Sequence, residues 1–394
     1  MAVEAAPAPG GRQSVWGDPR FRGLIFQGLF LVAVVVILSF IIQNTAQNLA
    51  DAGIASGFGF LSQTAGYDVG WSLIPYSSRD THARAFLVGL LNTLFVSGLG
   101  IVLATVMGFV VGVLRLSPNW LVNRVAYWFV EIVRNVPLLL QIFFWYALFL
   151  ALPAARQSLD LGGNMFLSNR GLRVPAPVVE PVFWAIPAAF VIGIVATVLI
   201  RRWARRRQAA TGQIFPTLPW GIGLIVGLPV VVALLTGLPW TWEVPVLRGF
   251  NYAGGVNIGP ELVALLTALS VYTAAFIAEN VRGGILSVSH GQTEAAHALG
   301  LTQGRTLRLV VIPQALRVIV PPLTSQYLNL TKNSSLGVAI GYPEVVATIS
   351  GTTLNQTGQA VECVALAMAV YLTISLLISA FMNWYNQHIA LVER

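Results

Sequence analysis

Eight apolar runs, each long enough to cross a bilayer, alternate with polar segments along the chain. A spanning helix takes roughly 20 mostly apolar residues. The runs are Leu24–Ile42, Ala85–Leu114, Val136–Leu152, Val182–Ile200, Phe215–Leu238, Glu261–Arg282, Gln314–Thr331 and Cys363–Trp384. The third is entered through Glu131–Pro137, and Arg115–Arg124 before it reads as a loop. Pro321-Pro322 lie inside the seventh and remove two backbone donors, which predicts a broken or kinked helix. Broken helices at membrane depth are tolerated where they line a cavity, so the seventh run is the candidate pore-lining element. A polar island, Gly291–Gln314, separates the sixth run from the seventh. Its pattern predicts a helix, a break at Gly300, a short second helix with Thr302 as N-cap, and Pro313 opening the next helix.

Composition agrees. Of 394 residues, 56% are hydrophobic and 10% charged, with a mean hydropathy of +0.74. A soluble domain carries about 25% charged residues. The fold class is therefore all-α, a polytopic membrane protein with eight transmembrane helices. The net charge of +8 sits in the loops, so it reports orientation and not nucleic-acid binding. With the N-terminus inside, 16 basic residues fall on the inner side and seven on the outer, which puts both termini and the island in the cytoplasm. The Arg201–Arg207 cluster reads first as a topology signal, with anionic-lipid contact second. Met1–Gly23 has no signal-peptide layout and reads as a cytoplasmic tail. Cys363 is the one cysteine, so no internal disulfide can form.

No G-x-x-x-x-G-K-[ST] loop, H-E-x-x-H pair or Cys/His cluster is present, and the four histidines are scattered. Catalysis, a bound cofactor and a metal site are not expected in this chain. Transport would draw on an ion gradient or on a separate ATPase. The island bears on that choice. Glu294-Ala295-Ala296, then Gly300, then Val310-Val311-Ile312-Pro313 resemble the EAA loop of ABC-importer membrane subunits. Small Ala295 and Ala296 would allow close approach to a groove, Gly300 a sharp turn, and Glu294 a polar contact. With His297, Leu299, Ile312 and Pro313 these are the candidate ATPase-coupling residues.

Gly89–Leu94, Arg134–Leu139 and Tyr272–Ile285 resemble the polar-amino-acid (histidine/glutamine) permease branch. Lys332–Leu336 and Leu354–Gln359, with the loop over 44–84 and an insert over 153–260, resemble the Q-type permeases of general L-amino-acid transporters. That resemblance implies a type I ABC-importer core of five helices plus an N-terminal helix and a two-helix insert. The organisation is a tail over 1–23, a first helix and periplasmic loop over 24–84, and a first stretch of the permease core over 85–152. The insert over 153–260 follows. The core resumes over 261–386, with the coupling loop at 287–313, and a tail over 387–394 ends the chain. The resemblance also implies a second homologous permease, two copies of an ATP-binding subunit that hold ATP and Mg, and a periplasmic amino-acid-binding protein. It places the chain in the bacterial inner membrane. An ion-gradient-driven amino-acid carrier is the alternative.

For the substrate path, Asn92, Thr93, Gln141, Tyr272, Thr273, Glu279, Asn329 and Lys332 are the polar candidates at span depth. A charge in a membrane is costly and marks a pair or a pathway. Glu279 either pairs with Arg282 one turn on or faces the path. Lys332 either attracts a substrate carboxylate or anchors the end of its span.

Overall fold

A computed structural model describes residues 19–389 apart from 52, 54 and 55. The expected tails lie largely outside these residues, including Arg12 and Arg394 of the charge count. Among the described residues, seven helices are long and apolar enough to cross a membrane, and a bent pair makes up to eight. In chain order the first helices are α1 Pro19–Asp51, α2 His82–Leu114, α3 Trp120–Asn135 and α4 Leu138–Leu150. The stretch over 153–260 supplies α5 Ala185–Thr211, α6 Thr217–Ile222 and α7 Leu228–Leu235. Then come α8 Pro260–Leu286, α9 His290–Ala298, α10 Gln303–Thr306, α11 Ile312–Asn333, α12 Leu354–Thr357 and α13 Ala360–Ile389.

The core is built round α8. Pro260 opens that helix and Glu261 sits in its first turn, both favourable at a helix N-terminus. Leu265, Leu269, Ile277 and Val281 are sealed between α2, α4 and α11. The α2–α8 seam is close because α2 presents Gly100, Ala104, Gly108 and Gly112 at four-residue spacing. A Cβ on Gly108 would stand 2.6 Å from Ile277, and one on Gly112 2.7 Å from Val281. Small residues on such a stripe let membrane helices approach backbone to backbone. The side chains of α1 are largely exposed, as lipid-facing residues are.

The third span differs from its expected form. Trp120–Asn135 is an amphipathic helix that takes in the second half of the loop expected over Arg115–Arg124, and the chain turns by 108° before Leu138–Leu150. Val136 is extended and Pro137 cannot continue the preceding ladder, so α3 ends there. α4 has 13 residues, about 20 Å at 1.5 Å per residue, so it crosses only together with its bend.

The two loops flanking α5–α7 carry short strands that the sequence pattern does not announce. These are β1 Leu159–Asp160, β2 Phe166–Ser168, β3 Gly171–Val174, β4 Ala176–Val179, β5 Trp240–Glu243, β6 Val246–Arg248, β7 Asn251–Ala253 and β8 Val256–Ile258. β3 pairs with β8, Leu172 opposite Ile258, and β4 with β5, Pro177 opposite Trp242. Both loops therefore lie at one end of the bundle, as an even number of intervening spans requires. Between them α5 packs on α6–α7, where Gly193 lets the helices touch: a Cβ there would meet the Leu224 carbonyl at 2.2 Å.

The seventh run is not broken at its prolines. α11 runs through Pro321 and Pro322. Both are exposed, so the lost hydrogen bonds fall on the open face of the helix and not in its seam with α8. The irregular backbone comes afterwards. A 3₁₀ stretch Ser334–Ile340 reaches Gly341 at φ +79°, and a π-wound segment Val346–Thr353 leads through α12 to Gly358 at φ +72°.

Candidate functional site

α9 ends as a helix with glycine at C′ should. The Gly300 N–H donates to the His297 carbonyl (2.9 Å) and the Leu301 N–H to the Ala296 carbonyl (3.1 Å), with Gly300 at φ +76°. This is the Schellman pattern. A Cβ on Gly300 would meet nothing within 4 Å, so the demand for glycine is conformational and not steric. Ala296 is the buried face of α9, while Glu294, Ala295, His297 and Leu299 are exposed. Leu299 is 82% exposed, an apolar side chain standing clear of the surface. Ile312 and Leu309 are exposed near by in sequence. Glu294 reaches only its own helix, Oε1 lying 3.1 Å from His290 Nδ1 one turn back. Beneath α9 lies a cavity of about 490 Å³ lined by Leu286, His290, Thr293, His297 and Leu307.

The rest of the island departs from its expected shape. Thr302 takes the N-cap backbone position, with the Thr306 N–H donating to its carbonyl at 2.9 Å, but its hydroxyl caps nothing. α10 then continues without a break through a π-turn at Leu307–Val311 into α11. Pro313 explains the wide turn: it has no N–H and its ring crowds the carbonyl four residues back, which a π-turn relieves. Gln314 Nε2 donates to Gln292 Oε1 (3.2 Å), tying the start of α11 to α9.

Glu279 forms the i,i+3 pair with Arg282 and also a second one. Arg115, at the C-terminal end of α2, donates to its other carboxylate oxygen. Arg115 lies 5.2 Å over the Tyr127 ring of α3, and Arg134 lies 5.3 Å over Phe276 of α8. One carboxylate thus joins α2 and α8, with α3 packed on the same cluster.

The other path candidates do not converge on one point. Asn92 Nδ2 donates to the carbonyls of Trp71 (3.0 Å) and Pro343 (2.8 Å), and the Tyr342 hydroxyl donates back to the Asn92 carbonyl (3.1 Å). The Thr93 hydroxyl accepts from the Val345 N–H (3.2 Å). Gln141 Nε2 donates to the Val133 and Val136 carbonyls across the α3–α4 bend. Thr273 is buried in α8, and Tyr272 rests on Phe276 at 5.0 Å. Asn329 and Lys332 differ from these. With Val318, Pro321, Pro322 and Ser325 they form an exposed stripe along α11, opposite the face that buries Ala315, Ile319, Leu323 and Leu330. Lys332 also borders a cavity of about 610 Å³ shared with Ser335, Ser350, Met368 and Tyr371.

Sequence reasoning missed Glu344. It is fully buried, accepts from the N–H groups of Val346 (2.7 Å) and Ala347 (2.8 Å), and receives the Tyr371 hydroxyl at 3.0 Å. It holds the start of the π-wound segment to α13. The loop before α2 is locked to the same segment: the Tyr67 hydroxyl donates to the Thr348 carbonyl (3.2 Å), and the Tyr76 hydroxyl donates to the Tyr67 carbonyl (3.0 Å). Burial raises the Tyr76 phenol to about 12, so it remains a donor at physiological pH.

Spans packed round one central helix, with a short exposed helix at one end and an open stripe along α11, define a polytopic membrane protein. The chain belongs to the family of inner membrane components of binding-protein-dependent transport systems, whose model matches residues 189–391, starting within α5. It is 52% identical over 397 residues to the general L-amino acid transport system permease protein AapQ of Rhizobium johnstonii, spanning 100% of this chain and 99% of that one. Identity to the putative amino-acid ABC transporter permease protein YhdX of Escherichia coli is 53% over 380 residues, covering 96% and 97% of the two chains. The glutamate/glutamine/aspartate/asparagine transport system permease protein BztB of Rhodobacter capsulatus is 45% identical over 409 residues, covering 96% of each. A crystal structure of an amino acid ABC transporter with histidines matches 78% of this chain and 95% of that one, at a TM-score of 0.47 and 20% identity.

Proposed function

We propose that this chain is one permease subunit of an ABC importer for L-amino acids, forms half of the path, and takes its driving force from a separate ATPase through α9. Full-length relatives named as amino-acid permeases support the substrate class. The observation that carries the coupling role is the exposed α9, closed by Gly300 and tied by Gln292–Gln314 to α11. From Gln303 to Asn333 the chain is helical without interruption, about 45 Å at 1.5 Å per residue. A displacement of α9 by the ATPase is therefore passed along a stiff rod to Asn329 and Lys332.

In this reading α9 lies in the cytoplasm, both termini are cytoplasmic, and the membrane is the bacterial inner membrane. The assembly holds a second homologous permease, two ATPase copies that bind ATP and Mg, and a periplasmic binding protein that docks on the strand-bearing loops. The open stripe of α11 faces the second permease across the path. ATP binding opens the path outward and hydrolysis resets it. Family membership gives no support to an ion-driven carrier.

Proteoliposomes holding the purified complex test this. Radiolabelled L-amino acid should be transported only with loaded binding protein on the outer face and ATP on the ATPase face. Uptake driven by a proton or sodium gradient without ATP would contradict the reading.

A further inference from the structure

Near its C-terminal end α5 carries five arginines in seven residues, Arg201, Arg202, Arg205, Arg206 and Arg207, all exposed. No acidic side chain stands between Glu180 and Glu243, so nothing on α5–α7 offsets their charge. α5 and α8 are both entered from the strand-bearing loops, so the cluster falls on the membrane side that bears α9. Its depth follows from the helix rise. Pro181 to Arg201 is about 30 Å at 1.5 Å per residue, the thickness of the hydrocarbon core. Val191 therefore sits at mid-membrane and Arg201 at the level of the head groups.

One face of α5 joins these two levels. Val191, Ile194, Val195 and Val198 follow one another at helical spacing, and Arg201, Arg202 and Arg205 continue the same row, with Arg206 beside them. The four apolar side chains are 40–58% exposed, while Ala189, Gly193, Thr197 and Ala204 are buried on the other side of the helix. The arginine end is held in shape by its neighbours. Arg207 lies 5.4 Å over the Trp203 ring, and its Nη2 donates to Gln213 Oε1 at 2.7 Å. Trp203 meets Phe215 edge-on at 5.4 Å, and Phe215 stacks on Trp220 at 6.2 Å. These contacts tie the turn into α6 to α5 and set two tryptophans at the interface, where that side chain is favoured.

Arginines in bulk water need no partner, but these stand beside lipid phosphates. A guanidinium takes a phosphate through two parallel hydrogen bonds, and basic clusters just beyond a span attract anionic head groups. A free phosphate would engage the arginines and leave the apolar row untouched; a phospholipid matches both. We propose that this face of α5 is a binding site for an anionic phospholipid. Its phosphate lies on Arg201, Arg202, Arg205 and Arg206, and an acyl chain runs along Val198, Val195, Ile194 and Val191. The lipid anchors to one leaflet a helix pair whose main packing is on itself.

The test uses the full-length chain in its purified complex, in phosphatidylcholine nanodiscs. Trace phosphatidylglycerol or phosphatidylcholine with a diazirine in one acyl chain is added at equal mole fraction, photolysed, and the labelled peptides are mapped. On wild type, phosphatidylglycerol should label Val191–Leu199 at least fivefold more than phosphatidylcholine. Unlabelled phosphatidylglycerol should compete, and millimolar inorganic phosphate should not. With Arg201→Gln, Arg202→Gln, Arg205→Gln and Arg206→Gln together the enrichment should fall to about one. The same four positions changed to Lys should keep at least half of it, which separates charge recognition from misfolding. Equal labelling of this face by the two probes in wild type overturns the site. Labelling by neither probe also overturns it and shows that a protein covers the face, and displacement by inorganic phosphate shows a site for the free anion instead. The wild-type arms decide even where the Gln variant fails to insert.

Discussion

Arg115 donates to Glu279 across the C-terminal ends of α2 and α8, and Arg282 holds the second oxygen of the same carboxylate. The Arg115 side chain is only 9% exposed, so its charge depends on this partner. Glu279→Gln leaves two guanidinium groups facing a neutral amide. Hydrogen bonds to charged groups are worth about 1.5–3 kcal/mol each, so the variant should melt at a lower temperature in detergent. Arg115→Lys keeps the charge and should lose less. Equal melting temperatures for wild type and Glu279→Gln would show that the cluster does not hold the seam.

The α2–α8 approach makes a contrast along one helix. Gly108→Ala and Gly112→Ala place a methyl within 3 Å of α8 and force the helices apart. Overpacking of this kind typically costs about 1–3 kcal/mol. Gly98→Ala, where a Cβ would meet nothing within 4 Å, should be neutral or slightly stabilising. Thermal unfolding of the three variants checks the order, and a Gly98 variant as unstable as the other two would refute the packing account.

At Gly300 the expected order follows from backbone geometry. Asparagine tolerates positive φ and should retain most function. Alanine should lose about 1–2 kcal/mol at the turn. Proline fixes φ near −65° and removes the N–H that donates to His297, so it should abolish transport while leaving membrane insertion intact. Normal recovery of ATPase with Gly300→Pro would count against α9 as the docking element.

Asn329 and Lys332 lie on the open face of α11, whereas Asn92, Thr93 and Gln141 hold neighbouring backbone. Alanine at Asn329 and Lys332 should therefore reduce transport at least tenfold with little change in melting temperature. Alanine at Asn92 should lower stability first. Unchanged transport of acidic, neutral and basic amino acids by the double variant would remove both residues from the path.

The long apolar runs made most of the spans readable, and the Glu294–Gly300 spacing made α9 readable together with its C-terminal turn. What stayed hidden depends on contacts between distant segments. α3 was masked because Arg124, Glu131 and Arg134 look like loop charges until they are placed on one side of an amphipathic helix. The strands on either side of α5–α7 are two to four residues long and exist through pairings such as Leu172 with Ile258. Pro321-Pro322 predicted a break, yet both fall on the unpacked face of α11. Glu344 carries no local signal at all: its role comes from burial and from Tyr371, 27 residues away.

A cross-link between α9 and the ATPase tests the coupling claim most directly. Cys363 is buried and is the chain's one cysteine, so Cys363→Ala gives a clean background for Ala298→Cys on the exposed end of α9. With single cysteines placed across the ATPase surface, the account predicts a specific disulfide at one groove, with transport blocked on oxidation and restored on reduction. No cross-link at any ATPase position, in a complex that still transports, would contradict it.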